Sequence, residues 1–83
     1  MSETDVEVHL WAAARDAAGV AVARVPAGTV REVLDAVIST HPSRLAEVLP
    51  RCSLLLDSTA VHDEGALVAP GQRLDVLPPF AGG

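Results

Sequence analysis

The sequence predicts an α+β domain in which one main helix packs across one face of a mixed β-sheet. Apolar residues alternate with polar ones near the start of the chain, whereas residues 29–41 repeat apolar positions at helical spacing. The elements follow the order strand, strand, helix, strand, short strand, strand. A single helix layer on one sheet is the economical way to close a core in a chain of 83 residues, so we expect one domain, residues 1–83.

The first half of the sheet is predicted from a period of two. Val6, Val8 and Leu10 alternate with more polar positions, which indicates a strand with one buried face. Residues 20–25 form a second apolar strand that ends at Pro26. The alanine-rich residues 12–19 between the two strands are expected to form a wide loop with a helical turn.

The main helix is predicted to begin after Thr29. The Thr29 hydroxyl can accept from a free amide and Glu32, three residues later, can reach back, which is the pattern of a capping box. Pro42 disfavours helical geometry in the preceding residue, so the helix should end near His41. One or two further turns are expected before Pro50. The apolar stripe of the main helix consists of Val30, Val33, Leu34, Val37 and Ile38.

The second half of the chain is predicted to supply the remaining strands. Residues 52–57 form a third strand that ends in a turn at Asp57-Ser58, and residues 59–62 form a short extended piece. Pro70-Gly71 fits a type II turn. Residues 73–77 are the last strand, which the following prolines terminate.

Composition and charge narrow the classes of partner. The net charge of -5 is repelled by phosphate backbones and anionic lipid, so we expect no nucleic acid or membrane partner and favour a protein with basic residues. Residues 1–4 are polar and expected to be disordered, without a secretion signal. No apolar run approaches the roughly 20 residues that span a bilayer. The expected location is cytoplasmic.

The C-terminal residues 78–83 form the most specific motif. Pro78 and Pro79 favour a stiff, extended segment that projects away from the body. Gly82 and Gly83 lack Cβ atoms, so their backbone can enter a narrow slot. We therefore expect an extended, flexible Gly-Gly tail whose reactive group is the carboxylate of Gly83.

Two motifs give a resemblance that covers nearly the whole chain, from Val6 to Gly83. The ending Pro-Pro-x-x-Gly-Gly and the pattern Trp-Ala-x-x-Arg-Asp-x-x-Gly at residues 11–19 resemble those of the MoaD/ThiS sulfur-carrier family, most closely the small subunits of molybdopterin synthase. That family has the ubiquitin-like β-grasp fold. The resemblance implies that an E1-like enzyme uses ATP to adenylate Gly83, and that sulfur then replaces AMP to give a thiocarboxylate.

The resemblance also implies a set of partners. The large synthase subunit would accept the tail in a complex of two small and two large subunits, while a cysteine desulfurase or rhodanese-type protein would supply sulfur. No tightly bound cofactor is implied, and this chain would be a sulfur-donor subunit whose catalytic residues lie on its partner. Three alternatives stay open: a carrier for thiamine or cysteine synthesis, a ubiquitin-like binding module without tail chemistry, and a protein conjugated to other proteins.

Other candidate residues have simpler interpretations. Cys52 alternates in phase with Leu54 and Leu56, which favours a core position over a persulfide carrier. The three histidines lack the short spacings of a metal site, so no metal is expected. Trp11 is out of phase with the buried face of its strand, and both a core and an interface position stay open. If it is exposed, we expect a partner-binding surface that combines it with Leu55, Leu77 and the tail residues Pro78, Pro79, Phe80 and Ala81.

Overall fold

The computed structural model describes residues 4–41 and 44–78. Its elements in chain order are β1 (Asp5–Leu10), α1 (Ala12–Ala18), β2 (Val22–Pro26), β3 (Gly28–Thr29), α2 (Val30–Thr40), α3 (Leu45–Val48), a 3₁₀ turn (Leu49–Arg51), β4 (Ser53–Leu56), β5 (Thr59–Ala60), β6 (Leu67–Val68) and β7 (Arg73–Leu77). The predicted disordered start, residues 1–4, lies outside this range except for Thr4, whose carbonyl oxygen accepts a hydrogen bond from the Ala27 amide at 2.9 Å.

Within the described residues, five strands form a mixed sheet in the order β2-β1-β7-β4-β5. Strand β1 pairs antiparallel with β2 and parallel with β7, and β7 pairs antiparallel with β4. The β-grasp fold that the family resemblance implies has its first strand beside the last and the last beside the third long strand, and the structure confirms this expected order. Strand β7 is therefore central, and the chain leaves the sheet from its middle.

The core lies between α2 and one face of this sheet. From α2, Val30, Val33 and Val37 are fully buried, as the helical stripe predicts. From the sheet, the alternating residues of β1 and β7 point to the same side, and α3 adds Leu45. The fully buried residues of β1 and β7 are Val6, Val8, Leu10, Leu74 and Val76, with at most 2% of their surface exposed. Among the described residues, no helix has the length and apolar content to cross a membrane.

The start of α2 has the predicted capping box. The Glu32 amide donates to Thr29 Oγ1 at 3.1 Å, and the Thr29 amide donates to Glu32 Oε1 at 2.9 Å. Two of the amides that a helix start leaves without an internal acceptor are thus satisfied. The helix ends at Thr40 with His41 as its C-cap, one residue before Pro42.

The two predicted turns are also present. Asp57 and Ser58 have φ angles of 47° and 72° and join β4 to β5 as a two-residue hairpin loop. Gly71 has a φ of 86°, and the Gln72 amide donates to the Ala69 carbonyl oxygen at 3.0 Å, as a type II turn requires.

The structure corrects the sequence interpretation in three places. Residues 12–18 form the helix α1, not a wide loop with a single turn, and Gly19 terminates it with a left-handed φ of 81°. Strand β2 begins at Val22, two residues later than expected. The short pair β3–β6 was not predicted, because two residues are too few to show an alternating pattern.

Candidate functional site

The predicted reactive end begins where β7 ends. Leu77 and Pro78 are half-buried, and Pro78 is the last described residue. Pro79, Phe80, Ala81, Gly82 and Gly83 lie outside the described residues, so their predicted roles stay predictions. What the structure does describe is the body around the point from which these residues leave.

Trp11 lies directly beside this exit point. Its amide donates to the Val76 carbonyl oxygen at 3.1 Å, which continues the parallel pairing of β1 and β7 by one residue. The side chain is 43% exposed, so Trp11 is not a core residue. The core position that the sequence left open is therefore excluded, and an exposed aromatic residue lies beside the end of β7.

Asp75 holds this ring, and sequence reasoning missed it. Trp11 Nε1 donates to Asp75 Oδ1 at 3.0 Å. Arg73 donates from Nε to both carboxylate oxygens at 3.1 Å and from Nη2 to Oδ1 at 2.8 Å. Asp75 is only 8% exposed although it lies on the face opposite the helix. The available signal was an acidic residue in phase with an arginine in the middle of an apolar strand.

Its surroundings also keep Asp75 ionised. Burial alone raises the pKa of Asp75, but the hydrogen bonds from Arg73 and Trp11, with the charges of Arg73 and His9, hold that pKa below its usual value. The carboxylate is therefore charged at neutral pH, and in this form it accepts hydrogen bonds from both Trp11 and Arg73.

Leu55 and Leu77 lie on the same open face as Asp75. In the strand register, Leu55 pairs with Asp75, and Leu77 pairs with Ser53. Both leucines are half-buried. The predicted apolar group of Trp11, Leu55 and Leu77 is therefore on one face, but Asp75 lies beside Leu55 and its carboxylate is hydrogen-bonded to the Trp11 indole. We call the surface formed by Trp11, Leu55, Asp75, Arg73 and Leu77 the open-face site.

A second ion pair borders the open-face site. Arg24 Nη2 lies 2.7 Å from Glu7 Oε2, and His9 Nε2 lies 2.9 Å from Glu7 Oε1. The hydrogen bond with His9 and the charge of Arg24 hold the pKa of Glu7 below its usual value. Glu7 pairs in register with Arg24 on one side and Arg73 on the other, so positive and negative charges alternate across three strands.

Cys52 packs against the core, next to the residues that follow α3. It is half-buried against the core, and its thiol donates to the Val48 carbonyl oxygen at 3.4 Å. Burial raises the pKa of this thiol, which reduces the thiolate that sulfur chemistry needs. A groove of about 630 Å³ between α2 and the β4–β5 hairpin includes Cys52 in its lining. Within residues 4–41 and 44–78, no group of three or more potential ligands could hold a metal ion.

Comparisons with solved structures agree with this architecture. A crystal structure of SAMP1 from Haloferax volcanii has a TM-score of 0.81 and 28% identity, covering 95% of this chain and 99% of that one. A protein from Pyrococcus furiosus described as molybdopterin converting factor subunit 1 has a TM-score of 0.80 at 18% identity, covering 93% and 99%. Subunit 1 in a complex with subunit 2 of the molybdopterin-converting factor from Helicobacter pylori has a TM-score of 0.70 at 22% identity, covering 95% and 99%.

The sequence comparison identifies the family. No curated protein matches the sequence significantly. The sequence pattern of the ThiS family, however, matches residues 8–83, which include the end of β1, the strand β7 and the Gly-Gly ending. Because this match spans nearly the whole chain, and the structure has the ubiquitin-like β-grasp fold of its neighbours, the chain belongs to the ThiS family.

Proposed function

We propose that this chain is the sulfur-carrier small subunit of molybdopterin synthase. Its Gly83 carboxylate is adenylated, converted to a thiocarboxylate, and then donates sulfur to a pterin precursor, where two such transfers build the dithiolene of molybdopterin. The observation that carries the proposal is the ThiS family match, which extends through the Gly-Gly ending to residue 83.

The chemistry explains why a terminal glycine carboxylate suits this role. A carboxylate is ionised at neutral pH and is a poor electrophile, so it needs a leaving group before sulfur can attack. Adenylation by a partner supplies that group, with ATP as the consumed reagent. The resulting thiocarboxylate is an anionic, polarisable nucleophile that needs no general base at the transfer step.

The position of β7 supports a carrier function. Because β7 lies between β1 and β4, the exit point of the tail is fixed on both sides by strand pairing. Pro78 has no amide hydrogen and favours departure from the strand. A partner that grips the open-face site would therefore receive the tail at a defined position, since Trp11 is hydrogen-bonded to β7.

The proposed function requires partners that activate the tail, supply sulfur and receive it. The Helicobacter pylori complex of subunits 1 and 2 supports a large subunit as the recipient of the tail, although at 22% identity it is a likeness of fold. We further propose an E1-like adenylating enzyme, a cysteine desulfurase or rhodanese-type sulfur source, and a complex of two small and two large subunits.

A second function is favoured by the likeness to SAMP1 of Haloferax volcanii, which is 28% identical to this chain. Another structure from the same organism, 26% identical, is named small archaeal modifier protein 1. In that case the activated Gly83 would form an amide with a lysine of another protein. This chain has no lysine, so it could not extend such conjugates through its own side chains.

Intact-mass spectrometry of the protein purified from its own cells tests the carrier function. Replacement of one oxygen by sulfur at Gly83 is expected, and a binding module would never show it. Incubation of the thiocarboxylate form with purified large subunit and pterin precursor then tests the pathway. Sulfur transfer to the pterin supports the synthase subunit, whereas transfer only to thiamine or cysteine precursors, or only protein conjugates, would contradict it.

A further inference from the structure

We propose that Asp75 is a positioning residue that fixes the Trp11 indole as the anchor through which this chain docks on the protein receiving its tail. The inference rests on the proposed function, because it assumes a partner that holds the body while the tail reacts. It assigns a role to a residue outside both family motifs, and to the contact between strand β7 and the residue that follows β1.

The hydrogen bonds of Asp75 restrain the Trp11 side chain. Its Oδ1 accepts from Trp11 Nε1 at 3.0 Å, and the guanidinium of Arg73 donates to both oxygens of the same carboxylate at 2.8–3.1 Å. The indole has one polar hydrogen, and this bond uses it. The ring is thus tied at its polar end while 43% of the residue stays exposed.

Stability alone is a weak reason for this arrangement. A largely buried carboxylate contributes little net stability even when it is paired, and apolar replacements of buried ion pairs are often neutral or stabilising. The residue opposite Asp75 on β4 is Leu55, so an apolar residue would be compatible with its neighbour at this position. An effect on Trp11 explains the carboxylate better, because an alanine or valine could not accept from the indole.

A fixed aromatic ring is also what a docking anchor needs. Tryptophan is among the residues that most often dominate the energy of an interface. A ring that is already ordered avoids the loss of side-chain freedom on binding, so its fixation increases affinity without adding a contact.

The charges indicate the chemistry of the partner. Asp75 is paired with Arg73 and Glu7 with Arg24, so each pair is neutral overall, while the whole chain carries -5. The partner surface over Trp11 and Leu77 should therefore be an apolar pocket. Basic side chains should surround that pocket, where they meet the acidic remainder of this chain.

The isolated protein offers a direct test, because Trp11 is its only tryptophan and its fluorescence reports this ring alone. Asp75→Ala should increase ring motion in time-resolved fluorescence anisotropy and speed hydrogen exchange at the indole Nε1. Asp75→Asn keeps a carbonyl oxygen that can accept from the indole and should recover most of the wild-type values. Anisotropy and exchange in Asp75→Ala equal to wild type would overturn the proposal, whatever the partner does.

Calorimetric titration against purified large subunit tests the consequence for docking. Asp75→Ala should weaken binding by about three- to tenfold, with Asp75→Asn in between, since rotamer ordering of one side chain has effects of this size. Asp35→Ala, an exposed aspartate on α2, is the matched control and should bind like wild type. In a Trp11→Ala background, Asp75→Ala should have no further effect, because it acts through the ring.

The outcomes separate the two proposals. Additive losses from Asp75→Ala and Trp11→Ala would overturn the positioning role while leaving the docking partner intact. Wild-type affinity of Trp11→Ala would overturn Trp11 as the anchor. Absence of any wild-type complex with the large subunit would contradict the proposed function, and the same cycle measured against the adenylating enzyme would then decide the positioning role.

Discussion

Replacement of Thr29 by alanine should lower the free energy of unfolding by about 1 kcal/mol, because Thr29 is the N-cap of α2. The variant loses the acceptor for the Glu32 amide, now bonded at 3.1 Å, and that amide must bind water instead. The reciprocal bond from the Thr29 amide to Glu32 Oε1 uses the backbone and can persist. Only one of the two capping bonds is therefore removed, which is why the expected loss does not approach 2 kcal/mol.

Urea and thermal unfolding measure this loss. In a domain of this size, 1 kcal/mol corresponds to a decrease in Tm of about 4–8 °C. Thr59→Ala, at an exposed position of the edge strand β5, is the control and should change stability by less than about 0.5 kcal/mol. The double mutant with Glu32→Ala should show a coupling energy of at least roughly 0.5 kcal/mol, since the two residues form one box. An unchanged midpoint in Thr29→Ala would refute the assignment of the helix start.

Three further predictions concern the tail and the open-face site. Deletion of Gly83, or addition of one residue after it, should abolish sulfur transfer in a reconstituted assay while the urea midpoint stays unchanged; transfer by either variant would refute the role of Gly83. Phe80→Ala should weaken the complexes with both the large subunit and the adenylating enzyme in calorimetry. A shared docking surface would be refuted if Phe80→Ala bound like wild type and Trp11→Ala unfolded the domain. Stability should also depend on the ionisation of Asp75, whose folded pKa is lowered. Its contribution is complete above the pKa of an unfolded aspartate, about 4, and is lost as the pH falls through the lower folded value. Asp75→Asn should therefore make the urea midpoint less sensitive to pH below about 4, and an acid profile equal to that of wild type would contradict this.

Local chemical patterns predicted the elements that have strong local signals. Strand β7 was predicted with its observed bounds, because Pro78 marks its end. The start of α2 was predicted from the Thr29–Glu32 box, and its end was predicted near His41, one residue beyond the observed Thr40. The order of the long strands followed once the family resemblance supplied the topology. Helix α1 was underestimated because its alanines favour a helix without showing an amphipathic stripe, although Gly19 is a typical C-terminal signal.

The open-face site contains a contact that a sequence pattern does not predict. Alternation places Trp11, Leu55 and Leu77 opposite the helix together with Asp75, but it does not show which of these side chains are in contact. The contact between Trp11 and Asp75 joins residues that are 64 positions apart, and it exists only because β1 and β7 run parallel and adjacent. A pairing of this kind follows from the topology and not from any local pattern.

The paired charges of this face reconcile docking with solubility. A small domain that exposed a continuous apolar face would tend to associate with itself. Here Arg24 with Glu7 and Arg73 with Asp75 keep the face polar, while Trp11 supplies one exposed aromatic side chain that is hydrogen-bonded to Asp75. A partner that covers the face removes water from charges that are already paired, which costs less than the burial of single ions. The strand that precedes the tail also carries Arg73 and Asp75, so the proposed docking face and the exit point of the tail share strand β7. Under the proposed function, the reach of Gly83 into a partner would be set by the number of residues that follow Pro78.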